Sequence, residues 1–137
     1  MRFTHVCAAL TAIGGLWAVP ASPHHSFSVA FDVERLVSVE GVVTGVKWEN
    51  PHGWIYVEVE RGDGRLEEWQ FETLPPNQLR RNGVTPVILK PGVTVTLKGY
   101  GAHDRSRAVA AANVIIFTDG NSFSIGSGRQ PPLSDDQ

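Results

Sequence analysis

Disulfide chemistry is missing from this chain, because its 137 residues hold one cysteine, Cys7. One cysteine closes no intramolecular bridge and builds no thiolate zinc cage. Methionine occurs once, as Met1, so a thioether site is excluded with it. Charge is sparse as well: 19% of residues are charged, and 12 basic against 14 acidic residues leave a net charge of −2. No basic excess exists to drive binding to a phosphate backbone, so nucleic acid is not an expected partner. A phosphate-cradling glycine loop is also lacking, since Gly14-Gly15 falls in an apolar run and Gly126-Ser127-Gly128 opens no helix. Ser26 beside His25 has no third orienting group and no nucleophile elbow, so no complete catalytic constellation is legible. What is present is an ordinary balance of 42% apolar residues and a length suited to one domain.

The one long apolar run is at the start. Arg2 precedes an almost uniformly small or apolar stretch, Val6 to Val19, and Val19-Pro20-Ala21 supplies small residues at a cleavage position. This three-part pattern predicts a signal peptide over residues 1–21 and a periplasmic or secreted product. The competing reading of the run is a retained membrane anchor or a buried helix. Nothing later is apolar enough to cross a bilayer, so no integral membrane protein is expected after cleavage. Cleavage would remove Cys7, Arg2 and His5, leaving a cysteine-free and slightly more acidic chain.

Residues 22–35 show no period and read as an N-terminal arm. Residues 36–120 carry strand signals separated by turn residues, and 121–137 read as a flexible tail rich in Gly, Ser, Pro and Asp. From Leu36 to Trp48 the apolar parity changes. Val37, Val39 and Val43 share one parity, Val42, Val46 and Trp48 the other, and Gly41 and Gly45 flank the change. A period-2 element switches faces only at a bulge or sharp bend, so this predicts one long, strongly curved strand. Trp54–Glu60 alternates, with Ile55, Val57 and Val59 on one face and Trp54, Tyr56, Glu58 and Glu60 on the other. Arg61-Gly62-Asp63-Gly64 predicts a hairpin turn into a third strand with Trp69 and Phe71 inward. A short helix over Asn77–Asn82 and two further strands, Val93–Tyr100 and Arg107–Phe117, complete the order. Three strands, a short helix and two strands is the order of a five-stranded OB-like barrel, an all-β fold; an open β-sandwich is the alternative.

Four histidines lie beyond the leader, His24, His25, His52 and His103, all in the arm or in predicted loops. With no thiolate, a metal site here must use nitrogen and oxygen ligands, which favour copper(II), zinc or nickel. Ser22-Pro23-His24 has the length of an amino-terminal copper motif, but Pro23 lacks the amide that motif deprotonates. His52 stands in the Asn50-Pro51-His52 turn between the first two strands, where OB barrels bind ligands together with the last loop and the face of strands two and three. Trp54 and Tyr56 are on that face, and His103 is in the last loop. Glu58, Glu60, Glu68 and Glu72 read as a solvated face.

His24-His25-Ser26-Phe27, Phe31-Asp32, Gly41-Val42-Val43-Thr44, Trp48-Glu49-Asn50-Pro51-His52, Trp54-Ile55-Tyr56, Leu79-Arg80-Arg81-Asn82-Gly83, Lys90-Pro91-Gly92 and Gly99-Tyr100 occur in that order. The set resembles a bacterial exported domain-of-unknown-function family, number 6152, over about residues 24–120. The resemblance implies export and a β-barrel-like domain but no reaction. It adds weight to His24, His25, Asn50 and His52 as a cluster, and to Arg80 and Arg81 as an anion-binding pair or partners of the glutamate-rich face. The expectation is therefore an exported binding module. Its metal ligands would be drawn from His24, His25, His52 and His103, and its ligand-binding residues from Asn50, Trp54, Tyr56, Arg80 and Arg81. Copper or zinc, or a small polar molecule, is the expected ligand, with Asn50 orienting the turn or His52 through a hydrogen bond. The alternative is an envelope protein–protein interaction module with no small ligand and no catalysis.

Overall fold

The computed structural model describes residues 27–126 and residue 133. The expected signal segment, His24, His25 and most of the expected tail lie outside them. The elements are α1 (Phe27–Ala30), β1 (Phe31–Lys47), β2 (Gly53–Glu60), β3 (Leu66–Thr73), α2 (Pro76–Arg81), β4 (Thr94–Ala102), β5 (Val109–Phe117) and β6 (Ser122–Ser124). The described chain is thus mostly β, with a short helix between β3 and β4 as the sequence predicts. None of its helices is long and apolar enough to cross a membrane.

β1 is the organising strand. Its first part pairs antiparallel with β4, from Phe31↔Ala102 to Val42↔Thr94, and its last part pairs with β2, from Val42↔Glu58 to Lys47↔Trp54. The β2 register slips between Val43 and Gly45, so Thr44 is an extra residue at a bulge. That bulge is the physical origin of the parity change. Val37, Val39 and Val43 face the core before it, and Val46 and Trp48 pack against the same core after it. Val42, which has the second parity but precedes the bulge, is exposed.

β2 and β3 form a hairpin in which Ile55, Val57 and Phe71 are fully buried. β3 then pairs parallel with β5 through Gln70↔Val109, Phe71↔Ala110 and Glu72↔Ala111. With β5 on β4 and β4 on β1, the pairings close a ring of five strands, and β6 adds to β5 beyond it. Inside the ring Val43, Ile55, Val57, Phe71, Val95, Leu97, Ala110, Ala112 and Ile115 form the main core. α2 adds Leu79. Its start carries Pro76, whose missing N–H costs nothing in a first turn, and its end is set by Gly83 at φ 92. There the Gly83 N–H donates to the Arg80 carbonyl and the Val84 N–H to the Leu79 carbonyl, a Schellman stop that buries Leu79 and Val84 together.

Structure extends beyond the expected elements in three places. The first strand begins at Phe31, inside the expected arm, and α1 precedes it. The fourth strand runs on to Ala102. Residues of the expected tail form β6, followed by Ile125, which is fully buried. The cause in each case is tertiary. A second cluster of Phe31, Tyr100, Ala102, Val109 and Ala111 lies on the outer face of the ring, and Phe27, Trp54 and Leu133 pack against it. The Phe27 ring sits 5.4 Å from that of Phe31 and 5.9 Å, edge-on, from Tyr100. β6 is held by the Asn82 side chain, which donates to the Ser124 carbonyl at 2.8 Å, while the Leu74 N–H donates to the Ile125 carbonyl and the Ile125 N–H to the Asn113 carbonyl.

Candidate functional site

The turn between β1 and β2 contains a cis Asn50–Pro51 peptide bond and places His52 immediately before Gly53, the first residue of β2. The Gly53 N–H donates to the Leu74 carbonyl at 3.3 Å, which brings the start of β2 against the end of β3. Trp54 pairs with Glu72 across the hairpin, both side chains pointing out of the ring. The result is a contact of 3.2 Å between His52 Nδ1 and Glu72 Oε1. The imidazole side chain is 46% exposed and the carboxylate 25%. Burial raises the Glu72 pKa above the ordinary glutamate value, and the attraction of His52 offsets this only in part. A carboxylate accepting from Nδ1–H fixes the tautomer in which the Nε2 lone pair is open to a ligand.

Glu72 was therefore misplaced by sequence reasoning, which set it on a solvated face with Glu58, Glu60 and Glu68. Those three are on or near the surface, whereas Glu72 is half-buried and engaged. A signal existed. Counting outward from the hairpin pair Glu60↔Leu66 brings Trp54 opposite Glu72, beside His52. Asn50, expected to orient the turn or His52, is exposed in the turn and has no hydrogen-bond partner among the described residues.

Trp54 is half-buried and leans on the outer cluster, forming a wall beside the His52–Glu72 pair. Tyr56 lies one step further along the same face, with the Lys47 ammonium 5.4 Å from its ring centre. A side-chain hydrogen bond between the two raises the Lys47 pKa.

The remaining candidates are held elsewhere. His103 Nε2 is 2.9 Å from the Ser28 carbonyl oxygen. A carbonyl only accepts, so Nε2 carries the proton and donates, and that nitrogen is no longer a metal ligand. Arg80 extends from α2 over the Trp48 ring, 5.8 Å from its centre. Arg81 is exposed, and neither arginine forms an ion pair among the described residues. The glutamates have other partners: Glu67 meets Arg61 at 2.9 Å and accepts from Trp69 Nε1 at 3.0 Å, and Glu68 accepts from Thr44 Oγ1 at 3.4 Å.

The structure thus brings His52, Trp54 and Glu72 together, with Tyr56 adjacent. It anchors His103 on α1 and the two arginines on α2, while His24 and His25 lie outside the described residues. Among the described residues no group of three or more His, Cys, Asp or Glu side chains is gathered, so His52 and Glu72 are at most a half-site. No curated protein matches the chain. The model of the Family of unknown function (DUF6152) matches residues 15–111, well over half of the sequence, and the chain belongs to that family.

Proposed function

We propose that this protein is an exported binding module on an OB-like barrel, which holds a transition metal such as copper or zinc, or a small polar ligand, at His52. The barrel reading is supported by the closed five-strand ring, the bulged first strand shared by two neighbours, and the helix between β3 and β4. Export, to the periplasm or beyond, rests on the leader pattern of residues 1–21.

One observation carries the site: the 3.2 Å contact that orients His52 through its Nδ1. A carboxylate behind an imidazole raises its basicity and points its other nitrogen at a ligand, the usual arrangement around protein-bound zinc and copper. Glu72 is thus the orienting carboxylate, Trp54 stands across from it, and Tyr56 borders the approach. The missing ligands are nitrogens of His24 and His25. Phe27 is seated on the same outer cluster as Trp54, and His25 precedes it by two residues. Asn50 shapes the turn. Arg80 and Arg81 stand apart and have no share in this ligand.

The test is calorimetric titration of the chain with copper(II) and zinc(II). Tight one-to-one binding is expected, lost in His52→Ala and His25→Ala and weakened about 10- to 100-fold in Glu72→Gln. Absence of binding below the millimolar range overturns the metal reading. It would favour an envelope protein–protein interaction module, for which exposed Val29, Val33 and Leu36 offer apolar surface.

A further inference from the structure

His103 enters the site indirectly. The β4–β5 loop and the N-terminal segment grip each other at several points. His103 Nε2–H donates to the Ser28 carbonyl at 2.9 Å, and the His103 backbone N–H donates to the Ala30 carbonyl at 3.4 Å. In return Arg35 Nη1 donates to the Ala102 carbonyl at 2.6 Å and to the Asp104 carbonyl at 3.4 Å. Arg105 approaches Asp32 at 4.0 Å. These contacts set α1, a single turn of four residues that is too short to hold its own shape in water. α1 carries Phe27, and Phe27 closes the outer cluster against which Trp54 packs. Trp54 in turn stands across from Glu72, the carboxylate that orients His52.

We infer that His103 is a positioning residue for the His52–Glu72 site, acting through α1, Phe27 and Trp54 by the hydrogen bond it donates to Ser28. The inference rests on the binding reading above for its functional consequence, but the mechanical link stands on the described contacts alone. The bond requires a donor at the Nε2 position and nothing else of the imidazole. Glutamine presents an amide N–H at nearly the same reach and binds metals poorly, so it separates a positioning role from a ligand role.

The experiment uses the full chain with 5-fluorotryptophan and the variants His103→Gln and His103→Ala, followed by fluorine NMR without metal and by copper(II) titration with electron paramagnetic resonance. The Trp54 resonance is assigned by Trp54→Phe. In His103→Ala that resonance is expected to shift or broaden while those of Trp48 and Trp69 hold, and copper affinity to fall about five- to tenfold, the worth of one hydrogen bond. His103→Gln is expected to restore the Trp54 resonance, the affinity and the wild-type copper spectrum. An unmoved Trp54 resonance in His103→Ala overturns the inference. So does a copper spectrum that loses a nitrogen ligand equally in both variants, which would make His103 a ligand. If the wild-type chain binds no metal, the functional reading fails by itself, and the Trp54 resonance still decides whether His103 sets this wall.

Discussion

Gly101 and Arg35 provide a sharp test of how the N-terminal segment is attached. Gly101 pairs with Ala110, so a side chain there would point into the ring. A Cβ at position 101 would lie 2.7 Å from both Cδ and Nε of Arg35 and 3.0 Å from Cζ. The guanidinium must therefore lift if alanine is introduced, and it then loses its bonds to the Ala102 and Asp104 carbonyls. Hydrogen bonds from a charged group contribute about 1.5–3 kcal/mol. Against this, replacing glycine by alanine where the backbone tolerates it stabilises by about 0.4–1 kcal/mol, through a less flexible unfolded chain. In the wild-type background Gly101→Ala is thus expected to cost about 1–2 kcal/mol. In an Arg35→Ala background the three atoms nearest that Cβ are gone, and the same substitution should stabilise by about 0.4–1 kcal/mol. The sign reverses, and the coupling energy of the double-mutant cycle should reach about 1.5–3 kcal/mol. Urea unfolding with an unchanged m-value measures all four corners. Equal destabilisation in both backgrounds would refute the reasoning, because the strain would then lie in the strand and not in Arg35.

Two further predictions concern the site and the chain end. Glu72 has a folded-state pKa raised by burial, so its stability contribution is present in full below the ordinary value of 4.5 and is lost as pH rises through the raised value. Glu72→Gln removes that titration, and its stability relative to wild type should climb with pH across this window and then level; a decline would mean that the His52 attraction outweighs desolvation. Ile125→Ala should destabilise by about 2–5 kcal/mol in chemical denaturation, because Ile125 is fully buried in the main core; a loss under about 0.5 kcal/mol would place it with ordinary surface substitutions.

The fold was largely legible because its signals are local. Alternation at Trp54–Glu60 assigned the inward residues of β2, and the parity change at Val42 and Val43 predicted a bend that the bulge at Thr44 supplies. α1 and β6 were not legible, because neither has a period of its own. α1 exists through Phe27 on Tyr100 and the bonds from His103, and β6 through Asn82 and Ile125. At the proposed site, His52 and Trp54 stand out in the sequence by residue type and by the turn they flank. Glu72 was hidden among similar glutamates, and what distinguishes it is register and burial. His103 is a candidate ligand by type, and its bond to the Ser28 carbonyl is a contact that only the fold brings about.

The parallel seam between β3 and β5 joins residues far apart in sequence, and Glu72↔Ala111 is one of its steps. Pairings of such separation carry a large loop-closure cost and are characteristic of slow steps in folding. The hairpin with β2 places Glu72 across from Trp54, and the seam then fixes the same stretch of β3 against β5. A ligand of the proposed His52–Glu72 pair that favours the closed ring over the open one would draw the population toward closure. Such a ligand should then be detectable as a slowing of hydrogen exchange along Val109–Ala111, a strand that it need not touch.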